Sequence, residues 1–249
     1  MTLLQVENVT KRFGQLAAVD GVTITVERGE LRAIIGPNGA GKTTFFNLLS
    51  GLTRPTSGKV YFADEDVTWL PAEKRVRRGM ARTFQITEIF PDLMANENLR
   101  IPVEIVAGYR MRPWISRRQS DEVSKRVADL LKMGGLKDKA NRRVGELSHG
   151  DQRTIEILMA LALRPRLLLL DEPTAGMGEQ ETENIVRLIG DVHRKLGLTT
   201  LLIEHDMRVV FQLAQRILVL AEGHVLAEGS PEQIAANEAV QTAYLGIAA

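Results

Sequence analysis

The segment that most constrains the fold is a glycine-rich loop between an apolar run and a helix-period run. The loop reads Gly36-Pro-Asn-Gly-Ala-Gly-Lys-Thr43 and matches the pattern G-x-x-x-x-G-K-[ST]. Leu31-Arg-Ala-Ile-Ile35 precedes it, and apolar residues at helical spacing follow from Lys42 to a stop at Gly51. A strand, a phosphate-binding loop and a helix in this order predict an α/β domain.

The glycines give this loop its expected chemistry. They let the backbone curl, so that consecutive N–H groups form an anion cradle at a helix N-terminus. We expect Lys42 to reach the β and γ phosphates of a nucleotide and the Thr43 hydroxyl to ligate Mg²⁺, which prefers hard oxygen ligands. The predicted nucleotide-binding residues of the loop are Gly36, Pro37, Asn38, Gly39, Ala40, Gly41, Lys42, Thr43 and Thr44. The loop alone does not separate kinases, GTPases and transport ATPases.

Further apolar runs predict the sheet that carries the loop. Residues 3–26 contain short β-branched runs broken by glycines, as in antiparallel strands. Runs at 166–170, 199–203 and 216–220 alternate with amphipathic helices, as in a parallel sheet covered on both faces. We therefore predict an α/β P-loop core, mainly a parallel sheet flanked by helices, with an antiparallel β edge subdomain.

The middle of the chain has a different pattern. Between about residues 88 and 146 apolar residues recur at helical spacing with few β-branched runs, which predicts an inserted α-helical subdomain. No repeat or linker divides the chain. We expect one domain over residues 1–249, with a nucleotide-binding core at 1–87 and 156–249 and a helical lobe at 88–155.

Charge and cysteine content exclude several classes of protein. The net charge is +1, so no global field draws the chain to nucleic acid. The absence of cysteine excludes a disulfide scaffold and a thiolate metal site. The first residues alternate like a strand and lack the features of a signal peptide, and the longest apolar runs are too short to span a bilayer.

Two carboxylates end the apolar run at 166–170. Asp171 and Glu172 follow it directly, and open α/β sheets bind ligands at the carboxyl ends of their strands. Because neighbouring strand residues point to opposite faces, we expect Asp171 to complete the Mg²⁺ shell and Glu172 to orient a water at the γ-phosphate. Another run ends near His205, whose neutral imidazole can hydrogen-bond the γ-phosphate or the attacking water.

These motifs occur in an order that resembles one family over nearly the whole chain. The P-loop, then Leu147-Ser-His-Gly-Asp-Gln152, then the acidic pair resemble the ATP-binding subunits of ABC transporters. Phe13 resembles that family's adenine-stacking aromatic, and Gln85 its Q-loop glutamine, which reaches the Mg²⁺ and the nucleophilic water. His205 resembles its switch histidine.

The resemblance implies how the sites work together. Ser148 and Gly150 belong to the signature segment, which in the family closes over the ATP held by the P-loop of a second subunit. A hydroxyl and N–H groups at a helix start form a second anion-binding end. The cofactors implied are ATP and Mg²⁺. The implied catalytic residues are Glu172, His205 and Gln85; the metal ligands are Thr43, Gln85 and Asp171; and the further nucleotide contacts are Phe13, Ser148 and Gly150.

The chain departs from the family pattern at three positions. His149 replaces the first signature glycine, and Asp151 stands where glutamine is commonest. Ala175-Gly-Met-Gly178 lacks the aspartate of the family's loop after the acidic pair. These departures imply a weaker or differently tuned closed dimer, and the role of that loop is not carried over.

Four segments resemble the branched-chain amino acid uptake subgroup, and an ATPase of a urea or other small-solute ABC transporter is the alternative. They are Gly79-Met-Ala-Arg-Thr-Phe-Gln85, Ala175-Gly-Met177, Glu204-His-Asp-Met207 and Tyr244-Leu-Gly246. The resemblance implies an ATP-hydrolysing subunit on the cytoplasmic face of the cell membrane. Its implied partners are transmembrane permease subunits, a second ATPase subunit, identical or paralogous, and indirectly a periplasmic or extracellular solute-binding protein.

Two other classes remain as alternatives. Soluble ABC ATPases that act on ribosomes or DNA usually have two fused cassettes or coiled-coil arms, and this chain has one cassette and no sustained heptads. A phosphotransferase would leave the signature segment unexplained. No nucleic-acid partner is expected.

Two surface features are also predicted. Basic residues cluster at 74–82 and 110–118, and we favour a solvated face over a nucleic-acid patch because aromatic residues among them are sparse. Ile89, Phe90 and Leu93 follow Gln85, where family members receive a coupling helix from the membrane subunit. We expect them to be partly exposed as an apolar docking patch, with core packing as the alternative.

Overall fold

The computed structural model of the chain describes residues 1–83, 89–109 and 116–245. The strands are β1 (Thr2–Phe13), β2 (Leu16–Glu27), β3 (Leu31–Ile35), β4 (Ser57–Phe62), β5 (Glu65–Asp66), β6 (Met80–Arg82), β7 (Leu167–Asp171), β8 (Thr199–Ile203), β9 (Arg216–Ala221) and β10 (His224–Gly229). The helices are α1 (Lys42–Ser50), α2 (Ala72–Arg77), α3 (Ala95–Val106), α4 (Arg117–Met133), α5 (His149–Ala162), α6 (Glu179–Leu196), α7 (Met207–Leu213), α8 (Pro231–Ala235) and α9 (Glu238–Leu245). Short 3₁₀ turns lie at Lys137–Lys139 and Val144–Glu146.

In the described part of the chain the strands form a four-stranded and a six-stranded sheet. The first is antiparallel, in the order β2-β1-β4-β5. The second has the order β10-β9-β3-β8-β7-β6, and all its pairs are parallel except β10 with β9. The predicted fold class, a parallel P-loop core with an antiparallel β edge and an inserted helical region, is confirmed.

The six-stranded sheet is covered on both faces, as its continuous apolar strands predict. Ala33 and Ile35 of β3 point into a core shared with α3, α4, α5 and α6. Ile34, between them, points into a second core shared with α1 and the four-stranded sheet. Both faces of the central strand are therefore fixed by packing, which holds the loop after β3 in place.

Glycines shape the two ends of α1. Gly41, directly before the helix, has φ +95°, and a Cβ there would lie 2.2 Å from the carbonyl oxygen of Ala18. Gly51 ends the helix at φ +79°, and its N–H donates to the carbonyl oxygens of Asn47 and Leu48 in the last turn. The sequence therefore sets both the tight loop before α1 and the predicted stop after it.

The inserted helical region packs as one unit against the sheet. Leu99 of α3, Val127 of α4 and Leu158 of α5 belong to the same core. Helix α5 begins in the predicted helical lobe and runs into the predicted core segment, so it connects the two. Among the described residues, no helix has the length and apolar character that crossing a membrane requires.

The prediction that the basic cluster at 74–82 forms a solvated face is wrong for two of its members. Arg75 is 1% exposed and donates to the carbonyl oxygens of Leu48 and Leu49 at the end of α1. It thus adds donors to the carbonyls of the last helical turn, whose regular i+4 partners are missing. Arg82 is also mostly buried, in an ion pair with Asp171. Residues 110–115 of the second cluster lie outside the described residues.

Candidate functional site

Three neighbouring strands bring the predicted site residues to one edge of the sheet. β3, β8 and β7 lie side by side and parallel, so the segments after them meet. A cavity of about 310 Å³ opens there. It is lined by Ala18, Asn38, Gly39, Ala40, Gly41, Lys42, Thr43, Thr44, Glu172 and His205. The P-loop, one of the two acids and the histidine therefore face a common space.

Lys42 lies at the floor of this cavity. Its Nζ donates to the carbonyl oxygens of Gly36, at 2.6 Å, and Pro37, at 3.0 Å, and the residue is 6% exposed. Burial lowers the pKa of Lys42, and the charges of Glu172 and Asp171 oppose this effect. A desolvated ammonium held by two carbonyls is ready to exchange them for phosphate oxygens, which carry full charge.

The residues predicted to hold Mg²⁺ offer oxygen atoms at the same edge. Asp171 is 1% exposed, and its Oδ1 has no hydrogen-bond partner among the described residues. Thr43 is exposed and lines the cavity. An unpartnered buried carboxylate oxygen and a hydroxyl are hard ligands that suit Mg²⁺ or a water bound to it. Gln85, the third predicted ligand, lies outside the described residues.

Glu172 and His205 are in direct contact across the cavity. The Nε2 of His205 lies 2.5 Å from the Oε1 of Glu172. A carboxylate oxygen only accepts, so the imidazole donates from Nε2. Glu172 adopts φ +46°, a conformation that costs a non-glycine residue about 1–2 kcal/mol. Residues with strained backbone cluster at functional sites.

Two arginines that sequence reasoning did not assign to the site hold the end of β7. Arg82 lies 2.7 Å from the Oδ2 of Asp171, and it also donates to the Oδ1 of Asn47 and the Oγ of Ser50 in α1. Arg153 of α5 donates to the carbonyl oxygens of Asp171, at 2.6 Å, and Glu172, at 3.2 Å. The sequence held no clear signal for Arg153, which lies among polar residues in the first half of α5.

The signature segment forms the N-terminus of α5, away from the P-loop cavity. Ser148 is the N-cap and accepts from the N–H of Asp151. The N–H of Gly150 donates to Glu181 of α6 at 3.1 Å, and this bond, with one from the Ser148 hydroxyl, lowers the pKa of Glu181. The anion-binding end thus already holds a carboxylate. A cavity of about 450 Å³, lined by Ser148, Gly150 and Glu181 among others, lies here.

The structure shows the local surroundings of the positions that depart from the family pattern. The Asp151 carboxylate lies 2.5 Å from the Lys139 ammonium, so its charge is paired within the chain. His149 is exposed. Gly178 is the N-cap of α6 and provides no side-chain cap.

Phe13 and the predicted docking patch are not among the residues that line the P-loop cavity. Phe13, at the end of β1, is 54% exposed, with the Lys11 ammonium 4.9 Å from its ring centre. In the predicted docking patch Phe90 is 48% exposed. Ile89 is partly buried against the helical core, and Leu93 is also half-buried. Residues 84–88, just before the patch, lie outside the described residues.

Comparison with protein families gives two matches. Residues 19–175 match the model described as "ABC transporter". Residues 224–249 match "Branched-chain amino acid ATP-binding cassette transporter". The first match contains the P-loop, the signature segment and the acidic pair.

Similar proteins and solved structures match this chain over more than nine tenths of its length. The chain is 41% identical to the high-affinity branched-chain amino acid transport ATP-binding protein BraF of Pseudomonas aeruginosa and 40% identical to LivG of Escherichia coli K12, with 98% of each chain covered. The ADP conformation of MJ1267, an ATP-binding cassette of an ABC transporter, has a TM-score of 0.86 at 29% identity over 99% of both chains. A dimeric post-hydrolysis state of the MJ0796 cassette, bound to ADP and Pi, has a TM-score of 0.78 at 30% identity, covering 92% of this chain and 99% of that one.

Proposed function

The chain belongs to the ABC transporter family of ATP-binding subunits, and from that premise we propose that it powers an importer of branched-chain amino acids. As a family member it is an ATPase. The observation that carries the proposal is the cavity in which the P-loop faces the Glu172–His205 pair. The cargo is inferred from the names of the relatives and from the match at residues 224–249.

Nucleotide binding follows from the P-loop geometry. We assign the loop N–H groups and Lys42 to the phosphates of ATP, Phe13 to the adenine, and Thr43, Asp171 and Gln85 to the Mg²⁺ shell. Bound Mg²⁺ supplies positive charge against the phosphate oxygens. The desolvated ammonium of Lys42 adds to that charge in a place where water screens it little.

We assign hydrolysis to Glu172 and His205, which line the same cavity as the P-loop. The Glu172 carboxylate accepts a proton from the attacking water, because it faces the P-loop and is an acceptor at both of its oxygens. His205 bonds Glu172 in the free chain, and its donating Nε2 is placed to turn to a γ-phosphate oxygen. The inorganic phosphate is then released rather than transferred to a second substrate.

The signature end requires a second subunit. Ser148 and Gly150 lie outside the P-loop cavity, so we infer that they contact nucleotide held by another cassette. A phosphate arriving there meets the Glu181 carboxylate, which already accepts from Gly150. Closure of the dimer therefore includes displacement of Glu181 from the helix end.

The remaining partners are proposed from the family. Permease subunits hold the chain at the cytoplasmic face of the membrane, and the half-exposed Phe90 marks their docking patch. A solute-binding protein acts on the permease from the other side. The second ATPase is an identical copy or a paralogue. The division into a core at 1–87 and 156–249 and a helical lobe at 88–155 stays a prediction.

Uptake by intact cells tests this function. A strain that lacks the chain is supplied with the wild type or with Glu172→Gln, and uptake of radiolabelled leucine, isoleucine and valine is measured beside that of labelled urea. We expect the wild type alone to restore amino-acid uptake. Restored urea uptake without amino-acid uptake would assign the cargo to the alternative, and no uptake of either would contradict the import proposal.

A further inference from the structure

Hydrogen bonds connect the two loops that carry Glu172 and His205. They follow β7 and β8, which are neighbours in the sheet. The N–H of Glu172 donates to the carbonyl oxygen of Ile203 at 3.0 Å. This hydrogen bond fixes the backbone at the start of the two loops relative to each other. It does not fix the side chains of Glu172 and His205, which could still separate.

Glu204, next to the histidine, supplies the stronger connection. It is 3% exposed. Its Oε1 accepts from the N–H of Thr174, at 3.0 Å, and from the Thr174 hydroxyl, at 2.5 Å. Its Oε2 accepts from the N–H of His205 at 3.0 Å. One carboxylate therefore joins the loop after Glu172 to the loop of His205.

The chemistry of this contact requires a carboxylate. The donors described around Glu204 number three, and an ionised carboxylate is an acceptor at both oxygens. A glutamine of the same shape has one acceptor oxygen, so its NH₂ would face a backbone N–H. Buried hydrogen bonds to a charged group are strong, and a buried donor left without an acceptor costs about 1–3 kcal/mol.

We propose that Glu204 is a positioning residue for ATP hydrolysis, which holds the Glu172 carboxylate and the His205 imidazole at their contact distance. It does not itself line the nucleotide cavity and acts through Thr174 and the His205 backbone. The inference rests on the proposed roles of Glu172 and His205. A shift of about 1 Å in a catalytic group can cost about a hundredfold in rate.

Steady-state ATPase kinetics of the full chain test this. We expect Glu204→Gln to lower kcat by about ten- to a hundredfold while KM for ATP and the Kd for nucleotide stay within about twofold. Thr174→Val, which removes the hydroxyl and keeps the shape, lowers kcat less, and Thr174→Ser restores it. Glu73→Gln, at an exposed acid on α2, serves as the control with wild-type kinetics.

A double variant separates positioning from general weakening of the fold. If Glu204 acts through Glu172, Glu172→Gln with Glu204→Gln is no slower than Glu172→Gln alone. Wild-type kcat in Glu204→Gln, or a double variant slower than both single ones, would overturn the inference while the proposed function stands. A Glu172→Gln variant with the wild-type rate would instead overturn the proposed function and the role of Glu204 with it.

Discussion

The guanidinium of Arg82 lies 2.7 Å from the carboxylate of Asp171, and the two side chains are 7% and 1% exposed. The pair joins the end of β6 to the end of β7 across 89 positions of sequence. Arg82 also bonds Asn47 and Ser50 of the P-loop helix. The acid predicted to complete the Mg²⁺ shell is therefore held by an arginine that bridges both strands and α1.

Removing this arginine should destabilise the fold. Arg82→Met leaves the Asp171 carboxylate buried without its cation, and breaking a buried pair in this way costs about 3–5 kcal/mol. Urea unfolding measures the loss directly. Arg78→Met is the control, because the Arg78–Glu65 pair is 38% and 62% exposed and should contribute less than about 1 kcal/mol. An equal loss in the free energy of unfolding for Arg82→Met and Arg78→Met would contradict this prediction, because the buried pair would then stabilise the fold no more than the exposed one.

Two glycines of the P-loop should differ in their tolerance of alanine. At Gly39, φ is +82° and a Cβ meets open space, so Gly39→Ala costs only about 1–2 kcal/mol of backbone strain. At Gly41 the Cβ meets the Ala18 carbonyl at 2.2 Å, and Gly41→Ala should cost at least about 1 kcal/mol more and abolish ATP binding. Unfolding and nucleotide titrations check both variants, and equal costs would contradict the stated geometry.

The carboxylate at the signature end should show its effect in the pH dependence of stability. Hydrogen bonds from Gly150 and Ser148 lower the pKa of Glu181 in the folded chain. Glu181 therefore makes its full contribution to the free energy of unfolding above the pKa of an unfolded glutamate, about 4.3. This contribution is lost as the pH falls through the lower pKa of the folded state. We expect Glu181→Gln to unfold at lower urea than the wild type at pH 7, with a difference that shrinks below about pH 4.

Glu183→Gln is the matched control for this prediction. Glu183 is exposed on the same helix, two residues further on, and its substitution should leave the urea midpoint unchanged at both pH values. If the urea midpoints of the wild type and Glu181→Gln differed by the same amount at pH 7 and at acidic pH, the stabilising effect of Glu181 would not depend on the charge of its carboxylate.

Phe13 should contribute to affinity for the base and not for the phosphates. Its ring is 54% exposed beside Lys11, and stacking of a base on an aromatic ring is worth about 1–3 kcal/mol. Phe13→Ala should weaken ATP binding by about tenfold and leave binding of inorganic triphosphate unchanged. Calorimetric titration with both ligands checks this, and equal weakening of the two would remove Phe13 from the adenine site.

The features that the sequence predicted best depend on local pattern. The strand, glycine loop and helix from Leu31 to Gly51 follow from hydrophobic period and from backbone conformations that glycine permits. The parallel core follows from continuous apolar runs, and it brings the ends of β3, β7 and β8 to one edge. That edge places Glu172 and His205 at the P-loop.

The contacts that the sequence did not predict join distant parts of the chain. Thr174 and Glu204 are 30 residues apart, and Gly150 and Glu181 are 31 apart. Nothing in either segment alone shows which donor meets which carboxylate. Arg75 was grouped with exposed basic neighbours, because a charged run on a short helix does not reveal that one member turns inward to the end of α1.

The central claim is that this chain hydrolyses ATP with Glu172 as the base. The most direct measurement is release of free phosphate from Mg-ATP by the purified chain, for the wild type and for Glu172→Gln, with ATP binding measured in parallel. We predict that the wild type releases phosphate. We also predict that Glu172→Gln binds ATP with similar affinity and is slower by a factor of about 100 or more. Equal rates for the two proteins, with equal binding, would contradict the account.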